Sequence, residues 1–77
     1  MTEFAKRVAY FRRLHGVSQS MLAKELGVTP AAVCRWEAGV TRPRHHNMER
    51  LAEFLGMEVW AFLRAEIPGD DTPLGAG

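Results

Sequence analysis

Ten lysines and arginines, three histidines and one cysteine are the side chains of this 77-residue chain with the most chemistry to offer. Their spacing decides which chemistry that is. A metal site needs several ligands converging on one point, and Cys34, His15, His45 and His46 show none of the usual ligand spacings. Adjacent His45 and His46 point in different directions on any regular element. Catalysis needs a nucleophile, a base and an orienting group, and the carboxylates here are scattered. The expectation is therefore no enzyme activity, no metal and no cofactor. The cations are another matter. Residues 1–50 hold nine Lys/Arg against four Glu, a balance of +5, while residues 51–77 hold Arg64 against five Asp/Glu, a balance of −4. The formal net charge of +1 hides this division. A basic body with an acidic C-terminal part suits a polyanion on one side and another partner on the other.

The elements that must position these charges are legible as helices. Phe4, Val8, Phe11 and then His15 or Leu14 fall at helical spacing, which predicts a first helix over Thr2–His15, capped by Thr2 and ended by Gly16. Ser18 caps a second helix running to Leu26, and Gly27 tolerates the left-handed turn that follows. Thr29 caps a third, with Pro30 at its first position, where a missing N–H costs nothing, and Gly39 ends it. Residues 40–47 contain a proline, polar types and no periodicity, so they read as a loop. Asn47 is the predicted cap of a fourth helix through Leu55, with Met48, Leu51, Ala52 and Leu55 on one face. A short fifth helix covers about Glu58–Arg64, poorly capped by Glu58. There is no convincing strand.

Helices two and three, joined by the Gly27-Val28 turn, have the spacing of a helix-turn-helix. Ala23 is small enough for the two helices to cross closely, Gly27 lets the chain turn, and Leu22, Leu26, Val28, Val33 and Trp36 point into the shared core. Residues Arg12, Gly16-Val-Ser-Gln19, Leu22-Ala23, Leu26-Gly-Val-Thr29, Val33, Trp36-Glu37-Ala-Gly39, Pro43, Leu51-Ala52 and Leu55-Gly56 resemble the phage repressor and Cro-like helix-turn-helix domain, the XRE-like family. The resemblance spans roughly residues 4 to 64. It implies an all-α, compact five-helix, lambda-repressor-like DNA-binding domain.

The resemblance assigns roles. Arg12 and Glu37 stand where family members place an ion pair joining helix one to the end of helix three. Gln19, with Ser18 beside it, stands where a side-chain amide and a helix N-terminus hold a phosphate oxygen. Arg42 and Arg44, flanking Pro43, stand where family members reach the sugar-phosphate backbone, with His45 and His46 assisting when protonated. Helix three can also be read from its own geometry. Its 3.6-residue turn puts Val33 and Trp36 together on the core side and Pro30, Ala31, Cys34 and Arg35 on the opposite side, the one to face the major groove. Family members often carry long polar side chains at the positions of Pro30 and Ala31. Here Thr29, Pro30 and Ala31 offer apolar contact to thymine methyls and a close backbone approach, which leaves Arg35 as the long donor, its fork suited either to guanine O6 and N7 or to a phosphate.

A chain of this size builds one small domain, expected over residues 1–66 with a turn-rich tail at 67–77. No apolar run is long enough to span a bilayer, no secretory signal is visible at the N-terminus, and a lone cysteine fits a reducing compartment, so the expected location is cytoplasmic. The expected function is a transcriptional regulator, a repressor, that binds double-stranded operator DNA as a homodimer. The alternative is an antitoxin-like protein-interaction module gripping another protein through its acidic C-terminal part, Trp60 and Phe62.

Overall fold

A computed structural model describes residues 3–67. Five helices follow one another: α1 (Glu3–Leu14), α2 (Gln19–Leu26), α3 (Pro30–Ala38), α4 (His45–Phe54) and α5 (Val59–Arg64), with no strand among the described residues. Phe4, Val8, Leu22, Ala23, Leu26, Val33, Trp36, Leu51, Ala52, Leu55 and Phe62 form one buried cluster drawn from all five helices and the turn after α4. Phe62 is its largest wholly buried side chain. It meets Phe4 edge-on at 5.8 Å between ring centroids and Phe11 at 6.0 Å. The C-terminal helix is thereby locked to the first, and Arg7 Nε adds a 2.8 Å bond to the carbonyl of Ala65.

The predicted start and stop signals around α2 and α3 act as their chemistry requires. Ser18 Oγ accepts the N–H of Met21 at 3.0 Å, and Thr29 Oγ1 that of Ala32 at 3.1 Å, so each helix has one of its orphan donors satisfied. Gly27 sits at φ +72°, its N–H donating to Lys24 O while Val28 N–H donates to Ala23 O, the paired bonds of a left-handed C-terminal cap. An added Cβ would find space there, since the nearest atom, Arg50 Nη1, is 3.8 Å away. Gly27→Ala is therefore a test of backbone strain alone. It should destabilise the domain by about 1–2 kcal/mol in urea unfolding, with an unchanged dependence on denaturant.

Two expectations are corrected. The fourth helix begins at His45, two residues before the predicted cap Asn47. Arg44, extended at φ −69° and ψ 167°, is the N-cap and its carbonyl accepts Met48 N–H at 2.8 Å, but no side chain caps the helix. The segment Thr41–Arg44 after α3, without regular structure, delivers the chain so that a helix begun at 45 turns Leu51 and Ala52 inward. His45 Nε2 lies 3.1 Å from a Glu49 carboxylate oxygen across the first turn of that helix. Packing has here overridden a local capping preference. Phe62, which only the protein-interaction alternative put on a partner surface, is fully buried and unavailable to any partner. At the end of α1 both candidates are exposed: the His15 ring lies 6.2 Å from that of half-buried Phe54, and Leu14 is 63% exposed. Glu58 is the uncapped start of α5, as its type predicts. The proposed cap Thr2 and the tail from Pro68 lie outside the described residues, so the domain boundary at residue 66 falls at their edge.

Candidate nucleic-acid interface

The α2-turn-α3 unit presents a two-sided third helix. Val33 and Trp36 are buried, while Thr29, Pro30, Ala31, Cys34 and Arg35 are exposed, so burying one flank of α3 leaves the expected flank facing outward. Pro30 and Ala31 put little between the helix backbone and whatever it docks on. Arg35 stands on the same side, one turn beyond Ala31, and Ser18 is exposed at the start of α2. Arg42 and Arg44 are exposed in the segment after α3, together with His45 and His46 at the start of α4.

Behind this surface lies a polar network that fixes α3 relative to α1 and α2. Arg12 donates twice to the Glu37 carboxylate, Nε to Oε2 at 2.6 Å and Nη2 to Oε1 at 3.0 Å, and its Nη1 donates to the carbonyl of Val17 at 2.9 Å. Both side chains are almost wholly out of solvent, at 11% and 8% exposure. The guanidinium is held above its ordinary pKa, chiefly by the hydrogen bond to Glu37, against the opposing effect of burial. It carries its charge at every working pH. The pair joins α1 to α3, as the resemblance implies.

Gln19 completes the network. Its Nε2 donates to Glu37 Oε1 at 2.9 Å, so the amide expected to hold a phosphate is bound within the protein and positions α2 against α3. One amide N–H and the carbonyl of that side chain are not used by this bond. Sequence reasoning also missed the posture of Arg42. Its guanidinium carbon lies 4.6 Å from the centre of the Phe4 ring, a cation–π stack that roofs the core. Neither contact has a local signal: residues 18 and 38 positions apart in the chain meet only once the helices have packed. Cys34 and the histidines do not converge, and among the described residues no three His, Cys, Asp or Glu side chains gather at metal-binding range. Nor is any described helix long and apolar enough to cross a membrane.

A profile of the helix-turn-helix family matches residues 8–59, from the middle of α1 to the start of α5. The chain belongs to the helix-turn-helix family. Among solved structures, the DNA-binding domain of the P22 c2 repressor in solution superposes with a TM-score of 0.79 at 22% identity, over 94% of this chain and 95% of that one. The P22 c2 repressor in complex with a synthetic operator superposes with a TM-score of 0.77 at 24% identity, over 86% of this chain and all of that one. FeII HppE in complex with substrate is similar over 77% of this chain but only 34% of its own, at 30% identity and a TM-score of 0.69. Comparison with curated protein sequences returned no match. Family and fold together make this helix-turn-helix protein an all-α domain with the fold of the P22 c2 repressor's DNA-binding domain.

Proposed function

We propose that this helix-turn-helix protein represses transcription in the cytoplasm by laying α3 in the major groove of an operator, two copies binding two half-sites about one helical turn apart. The observation that carries the reading is the division of α3 into a buried Val33–Trp36 flank and an exposed Thr29–Pro30–Ala31–Arg35 flank. Such a surface selects its site by apolar fit to thymine methyls and close backbone approach, with Arg35 adding one directional contact to guanine. Ser18 and the remaining amide N–H of Gln19, with the first N–H groups of α2, meet a phosphate at one end of the motif. Arg42 and Arg44 meet the backbone at the other. The P22 c2 repressor, which shares the fold and has been solved in complex with a synthetic operator, supports DNA as the partner.

In vitro selection of oligonucleotides followed by binding titrations at several salt concentrations tests this. Arg35→Ala should lose about 1–3 kcal/mol of discrimination at one base position. Arg44→Ala should weaken all sequences alike and reduce the slope of log affinity against log salt by about 1. Identical effects of the two substitutions across a panel of operators would contradict the division of labour. A folded protein that ignores DNA in dilute buffer would end the reading and favour an interaction module for an unrelated protein.

A further inference from the structure

The exposed flank of α3 consists of Thr29, Pro30, Ala31, Cys34 and Arg35, and four of these five bring little hydrogen-bonding capacity to a base edge. Pro30 and Ala31 end in CH groups alone. Thr29 Oγ1 already accepts the N–H of Ala32 at 3.1 Å, which commits that hydroxyl to the helix cap. Cys34 is an exposed free thiol, a weak donor and a weak acceptor. The start of α3 is therefore a small, nearly apolar tip, and the strong donor of this flank, Arg35, stands one turn beyond Ala31.

We infer that this tip reads the C5-methyl group of a pyrimidine rather than the base that carries it, so that 5-methylcytosine is bound like thymine and cytosine methylation raises the affinity of a site. This rests on the major-groove docking of α3 and deepens it. Thymine shows the groove its methyl group beside the O4 acceptor, and 5-methylcytosine shows the same methyl at the same ring position beside the N4 donor. Telling the two apart takes a side chain that hydrogen-bonds. An asparagine or glutamine amide does so by pairing with adenine N6 and N7, and guanine, opposite a methylated cytosine, lacks the N6 donor. Pro30 and Ala31 have no such group. A backbone N–H at the helix start does not separate the two pairs either, because each keeps a purine N7 acceptor. What remains is shape. With one side-chain carbon at Ala31 and a closed ring at Pro30, the helix can approach until a methyl fills the space beneath it, whereas unmethylated cytosine leaves a gap with no partner atoms. Burying one methyl group is worth about fourfold in affinity.

The test takes the half-site returned by oligonucleotide selection and remakes it one thymine at a time, with affinities measured for the full chain. Uracil removes the methyl group and nothing else, and at the positions facing Pro30 and Ala31 it should weaken binding about fourfold. A C·G pair placed there should be at least as weak. Adding the 5-methyl group to that cytosine should recover about fourfold and bring the affinity to within about twofold of the T·A site. Comparing cytosine with its methylated form keeps the hydrogen-bonding edge constant, so the gain belongs to the methyl group. Ala31→Gln, checked for folding by circular dichroism, should abolish the preference for methylated over unmethylated cytosine, because a long amide displaces the methyl contact and reads adenine instead. Equal binding of cytosine and 5-methylcytosine at every position, uracil as good as thymine throughout, or a half-site without thymine would overturn the inference. So would a methyl preference that Ala31→Gln leaves unchanged, since the methyl would then act through the shape of the duplex. A protein that binds its operator but fails these comparisons keeps the docking of α3 and loses the methyl reading. One that binds no DNA loses both.

Discussion

Glu37→Ala is expected to cost about 3–5 kcal/mol of folding stability, because it strands the guanidinium of Arg12 in a site that excludes most water. A domain this small has a total stability of roughly 5 kcal/mol, so the variant should be largely unfolded at room temperature. The wild-type carboxylate accepts from Arg12 twice and from Gln19 once, and all three bonds vanish with it. Glu37→Gln should be milder than alanine, since its amide oxygen can keep one acceptor position. The decisive control is the double variant Arg12→Met/Glu37→Leu. Replacing both charges by apolar groups of similar volume removes the stranded ion, so much of the lost stability should return. Urea unfolding of Arg12→Met, Glu37→Leu and the double variant gives the coupling energy directly. Additive losses would mean that the pair contributes nothing as a pair. The charge on Arg12 does not limit this experiment: a guanidinium whose folded pKa is raised contributes its stability at all pH values below its unfolded pKa, and loses it only when pH rises through the folded one.

Phe62→Ala should be about as damaging, again roughly 3–5 kcal/mol, but for a reason with no charge in it. The ring is wholly enclosed, edge-on to Phe4 and tilted over Phe11, so its loss leaves a cavity beneath two helices. The core of a 77-residue chain has few other large side chains with which to collapse into it. Phe62→Leu keeps much of the volume and should cost appreciably less than alanine. Thermal unfolding reads the difference. In a domain of this length each kilocalorie per mole moves the midpoint by about 4–8 °C, so alanine should lower it by at least 12 °C or abolish the transition. A Phe62→Ala midpoint within a few degrees of wild type would show that α5 contributes little to the core.

How much of this could be read from the sequence depended on whether the cause was local. Ser18, Gly27, Thr29, Pro30 and Gly39 marked the bounds of α2 and α3 because a cap or a left-handed turn is decided within four or five residues, and those helices lie where these residues put them. The two flanks of α3 followed from helical period alone. Asn47 misled for the opposite reason: the start of α4 is set by where the Thr41–Arg44 segment hands the chain to the core, and no local preference records that. The Arg12–Glu37 pair was visible only through family resemblance. Gln19 on Glu37 and Arg42 on Phe4 were not visible at all, since each depends on the crossing of elements distant in sequence. The face of α3 was therefore legible from its period, the Arg12–Glu37 brace only by resemblance, and the contacts of Gln19 and Arg42 not at all.

The stack of Arg42 on Phe4 bears on how quickly and how firmly that flank can engage. A surface arginine normally samples many rotamers and must surrender about 1.5–2 kcal/mol of side-chain entropy when a contact immobilises it. Arg42 has relinquished much of that freedom on folding. Under the proposed docking, a phosphate reaching this corner would meet a side chain already held against Phe4, so less of its binding enthalpy would be cancelled by ordering the protein.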